Sequence, residues 1–188
     1  MSALPDLGLV FFPNDVGPPE GEDHAEDSCC LSFDRTWLAD DKAKWIDVRN
    51  QHFQALTAMA GVASRQAREG NGWLMGRPLV FAAHHVAELS LKVATLPLRN
   101  RWRDGRQNNG HDLAYLLALD RAQNGVRDTS EWEDTFVTML ERAQEAGRFP
   151  DRREGQPLFD QWCCVSATAL FSAVMEFSAL VASTNEVA

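Results

Sequence analysis

Between Pro78 and Pro97 the sequence runs PLVFAAHHVAELSLKVATL, a helix-length stretch that is apolar on nearly every side. An amphipathic helix needs a partner along one face, whereas a helix apolar all round must be enclosed by others, so this stretch demands a bundle built around it. Pro78 suits a first helical residue because its φ is already set, and Pro97 closes the run. One stripe breaks the pattern. His84, Glu88 and Lys92 recur at four-residue spacing and share one face, with His85 one position to the side. Two readings stand: a Glu-to-Lys helical pair with a histidine satisfied by a backbone or carboxylate partner, as buried polar groups require, or the polar wall of a site.

The remaining segments supply the enclosure. Leu38, Trp45, Phe53, Leu56, Met59 and Val62 recur on one face of a helix expected from about Asp34, as N-cap, to about Arg68, with Asp40, Asp41, Lys44 and Asp47 opposite. A short helix starts near His111, carries Leu113, Leu116, Leu117 and Leu119, and stops at Asn124-Gly125. In SEWE, Ser130 suits a cap and Glu133 a capping-box partner for a helix through Phe136, Met139, Leu140 and Ala143 to Gly147. A last apolar helix is expected from Pro157 to about Ser183. No strand-type alternation competes, so the expected fold is all-α, an antiparallel bundle of about five helices. The expected organisation is an N-terminal arm and acidic linker over 1–33 and a bundle over 34–184.

Charge narrows the function through its distribution. The formal net charge is -9, yet residues 1–30 hold seven acids and neither lysine nor arginine. Setting those seven aside from 27 leaves 20 acids against 18 basic residues, so the body is nearly neutral and nucleic acid stays open as a ligand. The acidic leader has the composition of a solvated linker, or of a polyanion mimic lying over basic residues. The cysteines form two adjacent pairs, Cys29-Cys30 and Cys163-Cys164, without CxxC or Cys/His zinc spacing. The start lacks the positive-then-apolar order of a secretory signal, and the run from Gln161 towards Val181 is interrupted by Glu176, too short to span a bilayer. A cytoplasmic protein without membrane contact is expected.

Short connections place the loops after the second and fourth helices at one pole. The first holds Arg99, Arg101, Trp102, Arg103 and Arg106, the second Arg148, Arg152 and Arg153. Such a cluster neutralises phosphates, and an indole among arginines either stacks on an unpaired base or plugs the end of the bundle. His111 either serves the helix start beside Asp112 or shuttles a proton, since histidine titrates near neutrality. Arg106, five positions earlier, suits a phosphate clamp beside it. A further alternative is a metal-dependent enzyme using His84, Glu88 and His111. His and Glu four apart fall short of the three or four ligands of a catalytic zinc, so no metal or other cofactor is assigned.

With AAHHVAELSLKVATL, then GHDLAYLLAL, then GRFPDRREGQ, the chain resembles the HEPN family, the higher-eukaryote and prokaryote nucleotide-binding helical bundles, over roughly residues 74–182. The resemblance implies an α-helical bundle, often dimeric, that acts in RNA cleavage, toxin-antitoxin pairs or phage defence, or binds RNA, nucleotides or partner proteins without catalysis. Ribonuclease members carry an Arg separated from a His by four to six residues with a polar residue after the Arg. Arg106, Gln107 and His111 match that pattern. The expectation is an RNA- or nucleotide-binding module with Arg99, Arg101, Trp102, Arg103, Arg152 and Arg153 in contact. The alternative is a metal-independent endoribonuclease using Arg106 and His111 across a homodimer. The resemblance also implies a neighbouring-gene partner such as a nucleotidyltransferase or antitoxin.

Overall fold

The computed structural model describes residues 41–71, 75–103, 111–148 and 165–183, all within the unit Leu38–Ala188. Their regular structure is entirely helical: α1 (Lys42–Arg68), α2 (Gly76–Ala94), a 3-10 segment (Leu96–Arg103), α3 (Leu113–Asn124), α4 (Ser130–Arg148) and α5 (Ala167–Ser183). The N-terminal arm and linker, both cysteine pairs, Arg106, Gln107, Arg152 and Arg153 lie outside the described residues.

α2 is the central element, as its composition requires. It packs against every other helix, with α1 and α5 also packed on each other and α3 and α4 likewise. Twelve of its nineteen residues are buried, among them Ala83, Val86, Ala87 and Leu91 without exposure. Leu56 of α1, Leu113, Leu116 and Leu117 of α3, Val137 of α4 and Val174, Phe177 and Val181 of α5 close around it. Each large side chain taken from water contributes roughly 1.5–3 kcal/mol. Within the core, Ser90 Oγ donates to Val86 O and meets Ser178 Oγ at 2.9 Å, linking α2 to α5.

Helix boundaries follow capping chemistry and correct several expectations. Asp41 has extended backbone (φ -81°, ψ 99°) and accepts from Ala43 N at 3.0 Å, so α1 starts there rather than running unbroken from Asp34. α2 begins two residues before Pro78. Asp112, not His111, caps α3 by accepting from Tyr115 N at 2.8 Å. At the other end of α3, Gly125 adopts φ 88° and ψ 168°, a region open to glycine and strained for other residues. Ser166 caps α5, accepting from Ala169 N at 3.3 Å, so the helix expected from Pro157 is interrupted before Ala167; residues 149–164 lie outside the described part.

The capping box expected at SEWE does not form. Ser130 is the first residue of α4 rather than its cap, and the Glu133 carboxylate turns inward, where it is fully buried. It accepts from Arg127 Nε at 2.7 Å, Thr129 Oγ1 at 2.8 Å and Arg121 Nη2 at 3.3 Å. Arg127 Nη2 also reaches Asp120 Oδ2 at 2.7 Å, and Asn124 Nδ2 donates to Asp120 Oδ1 at 2.7 Å. Burial pushes the Glu133 pKa up, but the Arg127 and Thr129 hydrogen bonds and the Arg127 charge outweigh it and hold the carboxyl below its ordinary value. Burial likewise works against the charge on Arg127, and its two carboxylates outweigh that, raising its pKa. This network ties the end of α3 to the start of α4, while Glu141 near the far end of α4 reaches the start of α3. The two helices therefore run antiparallel.

Candidate functional site

The site is assembled around Glu88. Because α2 is enclosed, its one acidic side chain is forced inside, 5% exposed, and needs partners that keep it charged. Lys92, one turn on and itself 12% exposed, hydrogen-bonds Oε1. His111 Nδ1 approaches the same oxygen at 2.9 Å from the start of α3. His85 Nδ1 lies 3.8 Å from Oε2, too far for a hydrogen bond but close enough for charge attraction. Burial raises the Glu88 pKa; His85, the Lys92 charge and hydrogen bond, and the His111 charge outweigh it and bring it down to about 2. Glu88 is therefore a carboxylate at neutral pH and only an acceptor. In the His111–Glu88 pair the carboxylate can only accept, so the proton sits on Nδ1; the His111 side chain is 68% exposed.

Two features that are separate in the sequence thus meet in space: the polar stripe of α2 and the histidine before α3. The 3-10 segment follows α2 on the way to His111. The chain bends by 112° after α2, and Trp102 folds back so that its Nε1 donates to Thr95 Oγ1 at 3.0 Å and its ring lies 5.7 Å from Lys92 Nζ. α3 then meets α2 first at Glu88, through His111, and later at Ala94, whose carbonyl accepts from Gln123 Nε2 at 3.4 Å. His111 therefore faces the middle of α2 rather than its end. On the other flank His85 makes an edge-on ring contact with His52 of α1, centroids 4.4 Å apart. Burial lowers the His52 pKa, and the His85 charge lowers it further.

Of the stripe, Glu88, Lys92 and His85 converge; His84 is buried in α2. Among the described residues no group of three His, Cys, Asp or Glu is arranged to hold a metal ion, and His84, Glu88 and His111 do not form such a group. Trp102 was a candidate for stacking on a base. It is instead 6% exposed and packs edge-on against Trp45, centroids 5.5 Å apart, so the indole plugs the bundle and offers no face to a ligand. The reason is tertiary: α2 leaves an apolar end that the 3-10 segment must cover. Arg101 is exposed and Arg99 half-buried beside it, while Arg103 lies at the end of the segment. With Arg106 outside the described residues, the Arg106–His111 pairing has no described geometry.

Three contributors had no sequence signal. Glu141, 28 residues along the chain from Leu113, accepts from Leu113 N at 2.7 Å and Ala114 N at 3.4 Å. Burial raises its pKa, as does the Asp112 charge, against the two backbone hydrogen bonds. Asp112 and Glu141 between them occupy the first free N–H groups of α3, so a phosphate at this pole must be met by side chains rather than by the helix N-terminus. Tyr115, the single tyrosine of the chain, donates its hydroxyl to Arg101 O at 2.8 Å. His52 adds the α1 flank.

No family model matches this sequence, and comparison with curated proteins and with solved structures returns no match. Among the described residues no single helix is long and apolar enough to cross a membrane.

Proposed function

We propose that this chain is a HEPN-like helical bundle that binds RNA or a nucleotide, in the cytoplasm, within a prokaryotic toxin-antitoxin or phage-defence type system. The observation that carries the reading is the Glu88–His111 contact at 2.9 Å. It joins the two helices on which the family resemblance rests, and it presents an oriented, exposed imidazole beside an arginine-bearing segment. Arg99, Arg101 and Arg103, with Arg106, Arg152 and Arg153 of the flanking loops, supply phosphate contacts, and Trp102 holds the segment down. A homodimer or a neighbouring-gene nucleotidyltransferase or antitoxin is the partner expected with this reading.

A second reading, metal-independent RNA cleavage, is favoured by the same contact. A histidine whose Nδ1–H is held by a buried carboxylate is fixed in one tautomer and one ring orientation, with Nε2 left as the acceptor, which is the arrangement general acid-base catalysis uses. In that reading Nε2 removes the ribose 2'-hydroxyl proton as the 2'-oxygen attacks phosphorus, and the departing 5'-oxygen takes up a proton from a second histidine or from water. Arg106 holds the phosphate.

The test is to titrate labelled single-stranded RNA with the purified chain at several salt concentrations in excess EDTA, and to follow the same samples for cleavage. Binding that weakens log-linearly with salt and leaves the RNA intact is the expected result. Cleavage that His111→Ala abolishes while binding survives establishes the second reading. A folded protein that binds neither RNA nor nucleotides overturns both.

A further inference from the structure

Arg101 is moored on both sides. Its own carbonyl accepts from Tyr115 Oη at 2.8 Å, and the next residue, Trp102, is pinned in the core by its hydrogen bond to Thr95 and its contact with Trp45. Leu96 and Leu98 hold the start of the segment against the core, but its helical geometry breaks at Leu98 (φ -100°, ψ 19°), and beyond it Asn100 and Arg101 stand in solvent. Tyr115 stands four residues past His111, on the first turn of α3. Its half-exposed ring does no other polar work that the surrounding geometry demands, and phenylalanine would fill the same space. The hydroxyl is thus a strut between the helix that His111 opens and the backbone of an exposed arginine.

Resting on the proposed RNA-binding function, we propose that Tyr115 is a positioning residue that holds the Arg101 backbone, from which the exposed guanidinium receives a phosphodiester adjacent to the one His111 faces. The α3 N-terminus is closed by Asp112 and Glu141, so this phosphate contact falls to a side chain, and a side chain clamps best when its backbone is immobile. The ligand class is a strand with at least two consecutive phosphates, an oligonucleotide rather than a mononucleotide.

The test uses the full chain, a labelled oligouridine as probe, and the variants Tyr115→Phe, Arg101→Ala and their combination. Arg101→Ala should lower the salt slope by about 0.7, one single-strand phosphate contact. Tyr115→Phe should weaken binding by up to about tenfold, the loss of one hydrogen bond's worth of ordering, and lower the slope in the same direction. It should change nothing further when Arg101 is already alanine. Hydrogen exchange in residues 96–103 should quicken in Tyr115→Phe with the rest of the bundle unchanged. Phenylalanine keeps the Tyr115 ring packed against the core and Arg101 is exposed, and a thermal melt verifies that the variants are folded. Losses that multiply in the double variant, or a Tyr115→Phe form that binds and exchanges as the wild type does, overturn the inference and leave the proposed function standing. A wild type that binds no oligouridine and no other RNA overturns both. Equal affinity for uridine monophosphate and oligouridine overturns the substrate class alone.

Discussion

Replacing Glu88 by glutamine tests the centre of the site and of the bundle together. A carboxyl held at about 2 instead of its ordinary 4.5 favours the ionised folded form by roughly 3 kcal/mol, at about 1.4 kcal/mol for each tenfold change in proton affinity. Glutamine is close in shape to the protonated acid, so Glu88→Gln should lose about that amount at pH 7, within the 3–5 kcal/mol expected when one partner of a buried pair is removed and Lys92 is left without its carboxylate. The pH dependence has a definite sign. Because the folded-state value is depressed, the contribution is complete above the unfolded-state value near 4.5 and disappears as the pH falls towards about 2. Urea unfolding followed by circular dichroism at pH 7, 5, 4 and 3 should therefore show wild type and variant well separated at neutral pH and converging in acid. Parallel curves, with the gap unchanged down to pH 3, would refute the claim that Glu88 is held ionised by its neighbours. An unchanged midpoint at pH 7 would refute the buried pair itself.

Arg127→Met removes the guanidinium shared by Asp120 and Glu133, both fully buried, and should cost on the order of 3–5 kcal/mol in chemical denaturation; adding Asp120→Asn and Glu133→Gln should recover part of it, and no recovery would count against the network. Gly125→Ala meets no atom within 4 Å, so its cost is purely conformational at φ 88°, about 1–3 kcal/mol, read from the urea midpoint; a neutral result would mean the turn relaxes. Trp102→Phe keeps the ring against Trp45 but gives up the hydrogen bond to Thr95, for a loss of about 1 kcal/mol. RNA affinity should fall no more than the ordering of the segment allows, whereas a large loss of affinity with unchanged stability would restore Trp102 as a base-stacking residue.

What was legible in the sequence was whatever depends on neighbours along the chain. The all-round apolar run that became α2, the leucines of α3, and Gly125 as a stop all express local periodicity or a single residue's φ preference, and they hold whatever packs nearby. The stripe on α2 was visible for the same reason, since four-residue spacing puts Glu88 and Lys92 on one face. Its meaning was not. Only tertiary packing decided that Glu88 meets His111 from another helix, because a bend of 112° and the return of the 3-10 segment bring the start of α3 beside the middle of α2. The same holds for Glu133, which fits a capping box by spacing but is buried by α3 and so turns to Arg127. Glu141 reaches its backbone partners across 28 residues of chain, and Trp102 is drawn inward because it covers Trp45 of α1 and Thr95 at the end of α2. Local spacing selects which side chains share a helix face; long-range packing selects which face is denied water, and burial is what turns a charged residue into a committed partner.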